Sequence, residues 1–280
     1  MAAPRSSCSM NGTFSSSSEY ATYLAIALVI CAAMAFHRRP LALLPIPLLG
    51  WALLMDGSRG IVLLVVFALI VMTGLRMRRA LWRLGVIAAG FVGVLVAAQL
   101  LTPLLDQTAL QTTDPLIAHQ VGGLLHPFDP GRSTFGFKLN GLLGGIQFGI
   151  QNPAGIGIGA TTRPDKFGAA PFATESDVSN AFVSLGVGGG ILFLVVILGA
   201  FRKVNALYAA SRDWAALAVI GLLLVTLGQW LNGGQYAVAP LVWFLLGWAS
   251  READRISAPA MDHASPPAPA APALQLSAAG

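Results

Sequence analysis

Apolar runs separated by short polar interruptions dominate the chain. They cover Tyr20 to Phe36, Leu41 to Met55, Ile61 to Leu75, Leu84 to Leu105, Ala181 to Phe201, Trp214 to Leu231 and Tyr236 to Ser250. A bilayer core takes about 20 apolar residues per helix, fewer where flanking residues let the span shorten. On that ruler all seven runs read as membrane helices, the second and third being short. Between the fourth and fifth lies a polar segment, Thr102 to Ser179 at its widest, far longer than an ordinary loop.

A second pattern sits inside that segment. At Asp129-Pro130-Gly131-Arg132 an Asp cap and a Pro in the first turn predict a helix running to about Gln151. Phe135, Leu139, Leu142, Leu143, Ile146 and Ile150 recur on one face, while Gly141, Gly145 and Gly149 form a strip that lets another helix come close. The predicted fold is all-α: a polytopic transmembrane bundle of about seven spans with one long extracytoplasmic loop containing an amphipathic helix.

Composition agrees: 55% of residues are hydrophobic, 10% are charged and the mean hydropathy is +0.71. Such a chain belongs in a membrane. The cations orient it, since short cytoplasmic loops retain Lys and Arg. Arg38, Arg39, Arg76, Arg78, Arg79, Arg83, Arg202, Lys203, Arg212, Arg251 and Arg255 fall in alternate loops and at the end of the last run, which places them inside. Arg5, Arg59, Arg132, Lys138, Arg163 and Lys166 then lie outside, with the amino terminus and the long loop. The net charge of +5 and pI near 9.7 follow from this topology. The basic residues make no continuous patch, so no nucleic-acid partner is implied. The expected organisation is an extracytoplasmic Ser-rich start over 1–19, transmembrane helices 1–4 over 20–105, the loop over 106–180, helices 5–7 over 181–250, and a cytoplasmic, disordered Ala/Pro-rich tail over 251–280. The expected location is the cytoplasmic (inner) membrane.

A signal-peptide reading of Arg5 and the stretch ending in Ala33-Met34-Ala35 would reverse every loop and put Arg76 to Arg83 outside. An outside amino terminus that opens on Ser6 to Ser18 instead reads as the carboxyl portion of a longer chain. Bulky Ile30 before Cys31 argues against lipoprotein processing, and Cys8 with Cys31 gives no disulfide framework.

The candidate chemistry is on the outer side. In Asp56-Gly57-Ser58-Arg59-Gly60 the bland reading makes Ser58 a helix cap and Arg59 a snorkelling cation. Short flanking helices, however, hold the turn at or below headgroup depth, where a guanidinium is costly without an anion. A diphosphate suits that place, near the positive end of the third helix. Arg132 and Lys138 start and follow the loop helix. Arg163, Asp165, Lys166, Glu175, Asp177 and Asn180 lead into the fifth span and its Gly186-Val187-Gly188-Gly189-Gly190 run. Carboxylates there are either helix-dipole partners or a general base. Asn152 to Gly159, with its alternating glycines, lacks the spacing and the strand of a dinucleotide site and reads as a tight backbone passage toward a substrate or a neighbouring helix. His119 and His126, seven apart, have no zinc spacing, and no Gly-Lys-Ser loop is present, so no metal, nucleotide or other cofactor is expected.

Ser58-Arg59-Gly60 opening a helix, the long loop with Gly131-Arg132, Pro153 with its glycines, then Asn180-Ala181-Phe182, Leu185-Gly186 and Gly189-Gly190 together resemble the O-antigen ligase and O-antigen polymerase superfamily of bacterial membrane proteins. The resemblance covers about Leu41 to Phe201. It implies a membrane glycan transferase that joins a glycan carried on undecaprenyl diphosphate to a glycan or lipid acceptor at the outer side of the membrane, without metal or nucleotide sugar. The family's key arginines near the outer surface include one matching Arg59. By this reading Arg59, Glu175 and Asp177 are catalytic, and Ser58, Arg132, Lys138, Arg163 and Asn180 bind substrate. Members of the superfamily have more helices than seven, and the ligases show His-Asn where this chain has Ser179-Asn180, a departure that puts a polymerase or another polysaccharide transferase ahead of a lipid A core ligase. The alternative is a transporter or noncatalytic membrane component. Transporters place polar groups at midmembrane depth, and here only Gln229, Asn232 and Gln235, near the outer end of the sixth run, lean that way.

Overall fold

The computed structural model describes residues 17–56, 58–111, 135–158, 161, 176–227, 229–230 and 238–257, and every regular element among them is helical. In chain order these are α1 (Ser17–Phe36), a short 3-10 turn (Pro40–Leu43), α2 (Ile46–Asp56), α3 (Arg59–Leu75), α4 (Ala80–Gln111), α5 (Phe135–Gln151), α6 (Asp177–Ser211), α7 (Trp214–Val225) and α8 (Val238–Ser257). The all-α expectation therefore holds over the described residues.

Among the described residues two helices are long and apolar enough to cross a membrane: Ser18–Phe36 within α1, and α6. Three of the others are cut short for local reasons. Pro45 stands just ahead of α2 and Pro47 in its first turn, where a missing N–H is tolerated, so α2 begins only at Ile46. The sixth run leaves the helix at Val225, where Thr226 turns its hydroxyl back onto the Leu222 carbonyl at 2.8 Å. The last two turns of α8 carry Arg251, Glu252, Asp254 and Arg255.

Several boundaries move: α1 begins at Ser17, within the expected Ser-rich start, and α4 continues to Gln111, into the expected loop. Asp177, Ser179 and Asn180, expected in the loop, form the first turn of α6, which then continues past Phe201 to Ser211. Residues 251–257, expected in a disordered tail, extend α8, where Arg255 pairs with Glu252 one turn back at 3.3 Å.

The bundle is built around α7. Its residues from Ala216 to Val225 are all buried, the pattern of a helix apolar on every side. α1 meets it with Ala21, Ala25, Val29 and Ala33, a small-residue stripe at spacing four in which every member is fully buried. α3 closes the third side with Ile61, Val65, Ala68 and Met72. Gly221 lies where the three helices cross: a Cβ there would come within 2.7 Å of Met72 Sδ and 3.0 Å of Val29 Cβ. α2 leans on α1, α4 on α3, and α8 on α6 and α7, while α5 packs on α6.

Large apolar side chains cover the outer faces of α2, α4 and α6, among them Leu48, Trp51, Leu81, Trp82, Leu192 and Leu198. In water such a surface would drive aggregation; against lipid tails it carries no penalty. This exposure and the two long apolar helices support a membrane protein.

At one end the helix termini are tied together. His37 Nδ1 lies 2.9 Å from the Ala33 carbonyl and Nε2 lies 2.8 Å from the Arg212 carbonyl. Carbonyls only accept, so the imidazolium satisfies both and the neutral ring one. Arg212, in the left-handed region at φ 51°, donates through Nη1 to the Leu75 carbonyl at 3.0 Å and lies over the Tyr208 ring. Arg76 stacks on Phe36 and Arg39 on Trp214. The loops gathered here are among those the charge pattern assigns to a common side.

Gly221→Leu is expected to cost about 1–3 kcal/mol by overpacking the three-helix crossing, read as a lowered unfolding midpoint in detergent. Gly199→Ala, where a Cβ meets nothing within 4 Å, should leave that midpoint where it is.

Candidate functional site

The polar residues predicted to matter fall into two places. The first is the α2–α3 turn. Ser58 precedes α3 as expected, yet its side chain makes no cap bond to the helix; its hydroxyl donates to Asp56 Oδ2 at 2.5 Å. Asp56 Oδ1 is buried without a partner. Asp56 lies beyond both candidate spans, and burial pushes its carboxyl above the ordinary value of 3.8, against an opposing pull from the Ser58 hydroxyl and backbone. Arg59 is the first residue of α3, so its backbone stands where predicted; its side chain lies outside the described part.

The second place is the head of α6. Asp177 and Ser179 are fully buried, and Asn180 and Thr161 nearly so, each with interactions of its own. A carboxylate in the first turn faces the positive end of the helix, which offsets part of the cost of burying it. α5 covers this head closely. A Cβ on Gly145 would overlap the Ser179 side chain, and one on Gly149 the Phe182 backbone, so the predicted glycine strip does bring the helices together at these two positions. Lys138 is exposed near the start of α5.

α6 is interrupted at Gly186, whose φ of 69° and ψ of −167° are not helical. The interruption turns the Val183 and Ser184 carbonyls away from the helix, and the chain after α5 takes them up. Ile156 N–H donates to Val183 O at 3.1 Å and Gly157 N–H to Ser184 O at 3.0 Å. Asn152 holds this passage in place, its side chain bonding back to the Phe148 carbonyl at 3.0 Å and its own carbonyl accepting from Gly155 N–H at 2.8 Å. Gly155 and Gly186 face each other so closely that a Cβ on either would overlap the other strand's backbone, and both have positive φ. Across the break Phe182 lays its ring over Gly190, and Thr161 Oγ1 lies 3.3 Å from Ser184 Oγ. Over its described residues, 152–158, the segment is thus a close backbone passage against a neighbouring helix, one of the two alternatives its sequence leaves open.

The two places are not joined by packing. Neither α2 nor α3 touches α5 or α6, and α1 and α7 stand between them. Of the predicted residues, the structure brings together Asp177 and Asn180; Ser58 and the Arg59 backbone form the other group. Glu175, Arg132 and Arg163 lie outside the described residues, as do His119 and His126. No group of three or more His, Cys, Asp or Glu that would hold a metal ion occurs among the described residues. Sequence reasoning passed over Asp56 and Thr161. The signal for Asp56 was available, since it is an acid at the end of an apolar helix three residues before Arg59. For Thr161 there was none.

No protein-family model, curated protein or solved structure matches the chain.

Gly186→Ala is expected to destabilise the fold by about 3 kcal/mol, from the disfavoured backbone region plus the clash, and to expose residues 152–158 to protease at concentrations the native chain resists. Asp56 has a second consequence. With its folded value raised, the destabilisation is absent below the ordinary 3.8 and complete once pH exceeds the raised value. Asp56→Asn should therefore raise the unfolding midpoint at pH 7, with the gain shrinking as pH falls toward 4. A gain independent of pH would show that burial of the charge is not its cause.

Proposed function

We propose that the chain is a membrane glycan transferase, polymerising or ligating an oligosaccharide carried on undecaprenyl diphosphate in O-antigen or exopolysaccharide biosynthesis. The observation that supports this reading best is the head of α6. There Asp177 and Asn180 are buried at the start of an interrupted apolar helix, covered by α5 and stitched by backbone bonds to the following passage. A buried carboxylate in a bundle with so few charges is a candidate for proton transfer as well as a partner of the helix dipole.

In the proposed reaction the acceptor hydroxyl oxygen attacks the anomeric carbon of the donor sugar. The bond from that carbon to the diphosphate oxygen breaks, and the lipid diphosphate leaves with the electron pair. The acceptor proton passes to Glu175 or Asp177. Arg59, helped by Arg132, Lys138 or Arg163, offsets the charge growing on the leaving diphosphate. Ser58 and Asn180 orient the two substrates. The donor and acceptor together span the interval between the α2–α3 turn and the head of α6. Departure of a stable diphosphate drives the transfer, so the reaction needs no cofactor. The proposed setting is the cytoplasmic membrane, with α5 on its outer side and the donor entering from the lipid.

One feature favours the alternative of a polysaccharide transporter or noncatalytic component: helices interrupted at glycine line the substrate paths of many transporters. Against it, the carbonyls freed at Gly186 are taken by Ile156 and Gly157 N–H groups.

Cells lacking the protein should accumulate undecaprenyl-diphosphate oligosaccharide by mass spectrometry, and the native chain should clear it. Arg59→Ala and Asp177→Asn should each lower turnover about 10²-fold or more. Arg59→Lys should recover little of it, because a compact ammonium cannot make the two-pronged phosphate contact. Purified chain in liposomes with lipid-linked donor and acceptor decides between the readings: a new glycosidic product supports transfer, and passage of unaltered glycan across the bilayer supports transport.

A further inference from the structure

The flank where α6 meets α8 carries a feature that glycan transfer leaves unused. A groove of about 540 Å³ is lined by Gly247, Ser250, Arg251, Asp254 and Arg255. Lys203 of α6 reaches into this region and pairs with Asp254 at 3.1 Å, while Arg255 pairs with Glu252 at 3.3 Å. Each acid is thus matched by one cation. Arg202 and Arg251, both exposed, have no acidic partner among the described residues.

These two arginines end two apolar stripes. On α6, Ile191, Val195, Leu198 and Arg202 follow one another at helical spacing on one face, and the three apolar members are each more than half exposed. On α8, Phe244 is 72% exposed and is followed on its own face by Gly247 and Arg251. α6 and α8 pack together and are bridged by Lys203 and Asp254 at the level of the groove, one residue from Arg202 and three from Arg251. Lys203 stands eight residues before Ser211, which puts the groove on the side of the bundle, about 12 Å along α6 from the Arg212 cap.

We infer that this flank binds one anionic phospholipid, its acyl chains along Val195, Leu198 and Phe244 and its phosphate held by Arg202 and Arg251. A hydrocarbon stripe that terminates in unpaired guanidinium groups matches the two halves of a phospholipid, whereas a free anion would use the arginines alone. Arg binds phosphate through paired N–H donors, and basic pockets between membrane helices select anionic headgroups. A choline headgroup would set a further cation beside Arg251. Gly247 leaves the groove open, a Cβ there meeting nothing within 4 Å.

The test uses the purified full chain in detergent, with phosphatidylglycerol or phosphatidylcholine of identical chains, and native mass spectrometry to count retained lipid. Phosphatidylglycerol should be retained preferentially, and Arg202→Gln with Arg251→Gln should weaken it roughly thirtyfold, at about tenfold per 1.4 kcal/mol and about 1 kcal/mol per cation. Gly247→Trp, which fills the groove without changing charge, should release the same lipid and serves where the double variant fails to fold. Equal retention of the two lipids, retention that survives both variants, or displacement by inorganic phosphate at the concentration of lipid would each overturn the assignment.

Discussion

A helix that breaks in apolar surroundings must find donors for the carbonyls it releases, and the α5–α6 end is organised by that requirement. An unsatisfied backbone group away from water costs several kcal/mol. At Gly186 the debt is met by Ile156 and Gly157 N–H, which requires the chain after α5 to run directly against α6. That approach requires glycine on both sides, at 155 and at 186. The same approach sets α5 over the first turn of α6, where Gly145 and Gly149 make room for Ser179 and Phe182. Burial of Asp177 follows from this chain of constraints; no feature of its immediate sequence demands it.

Elsewhere the bundle keeps polar atoms out of its interior or pairs them locally. Thr22, Thr73 and Thr226 bond back to carbonyls one turn earlier, and the Trp230 indole reaches Thr226 while Trp243 reaches the Trp230 carbonyl. Among the described residues Asp56 Oδ1, Arg83 Nε and Gln229 Oε1 are the exceptions, buried polar atoms without a hydrogen-bond partner. The isolation of Asp56 Oδ1 beside the start of α3 is the kind of local cost that binding sites retain.

The helices were legible because apolar runs are long and turns are marked by Pro, Gly and Arg. Their limits were less so. The charged residues at Arg251 to Arg255 read as the end of a span, but i,i+3 pairing and the Lys203–Asp254 bridge let α8 continue. Asp177 to Asn180 read as loop because polar residues before an apolar run normally lie outside it; here α5 buries them. The α5 glycine strip could be read from spacing alone, whereas the break at Gly186 could not. Five positions, four of them glycine, offer several candidates for positive φ, and the partner that selects Gly186 is the Pro153 carbonyl, distant in sequence. At Ser58 the composition was right and the bond was not, since a neighbouring carboxylate outcompetes the helix for the hydroxyl.

The His37 and Arg212 contacts make the two ends of the molecule mechanically unlike. At one end α1, α3, α6 and α7 are cross-braced by side chains that grip the backbone of other helices. At the other, the first nine residues of α6 meet the rest of that helix at a single glycine and are steadied by two hydrogen bonds from the passage after α5. Gly186 is therefore the place in α6 where a bend is already built in. The buried Asp177 rides on the short arm of that bend.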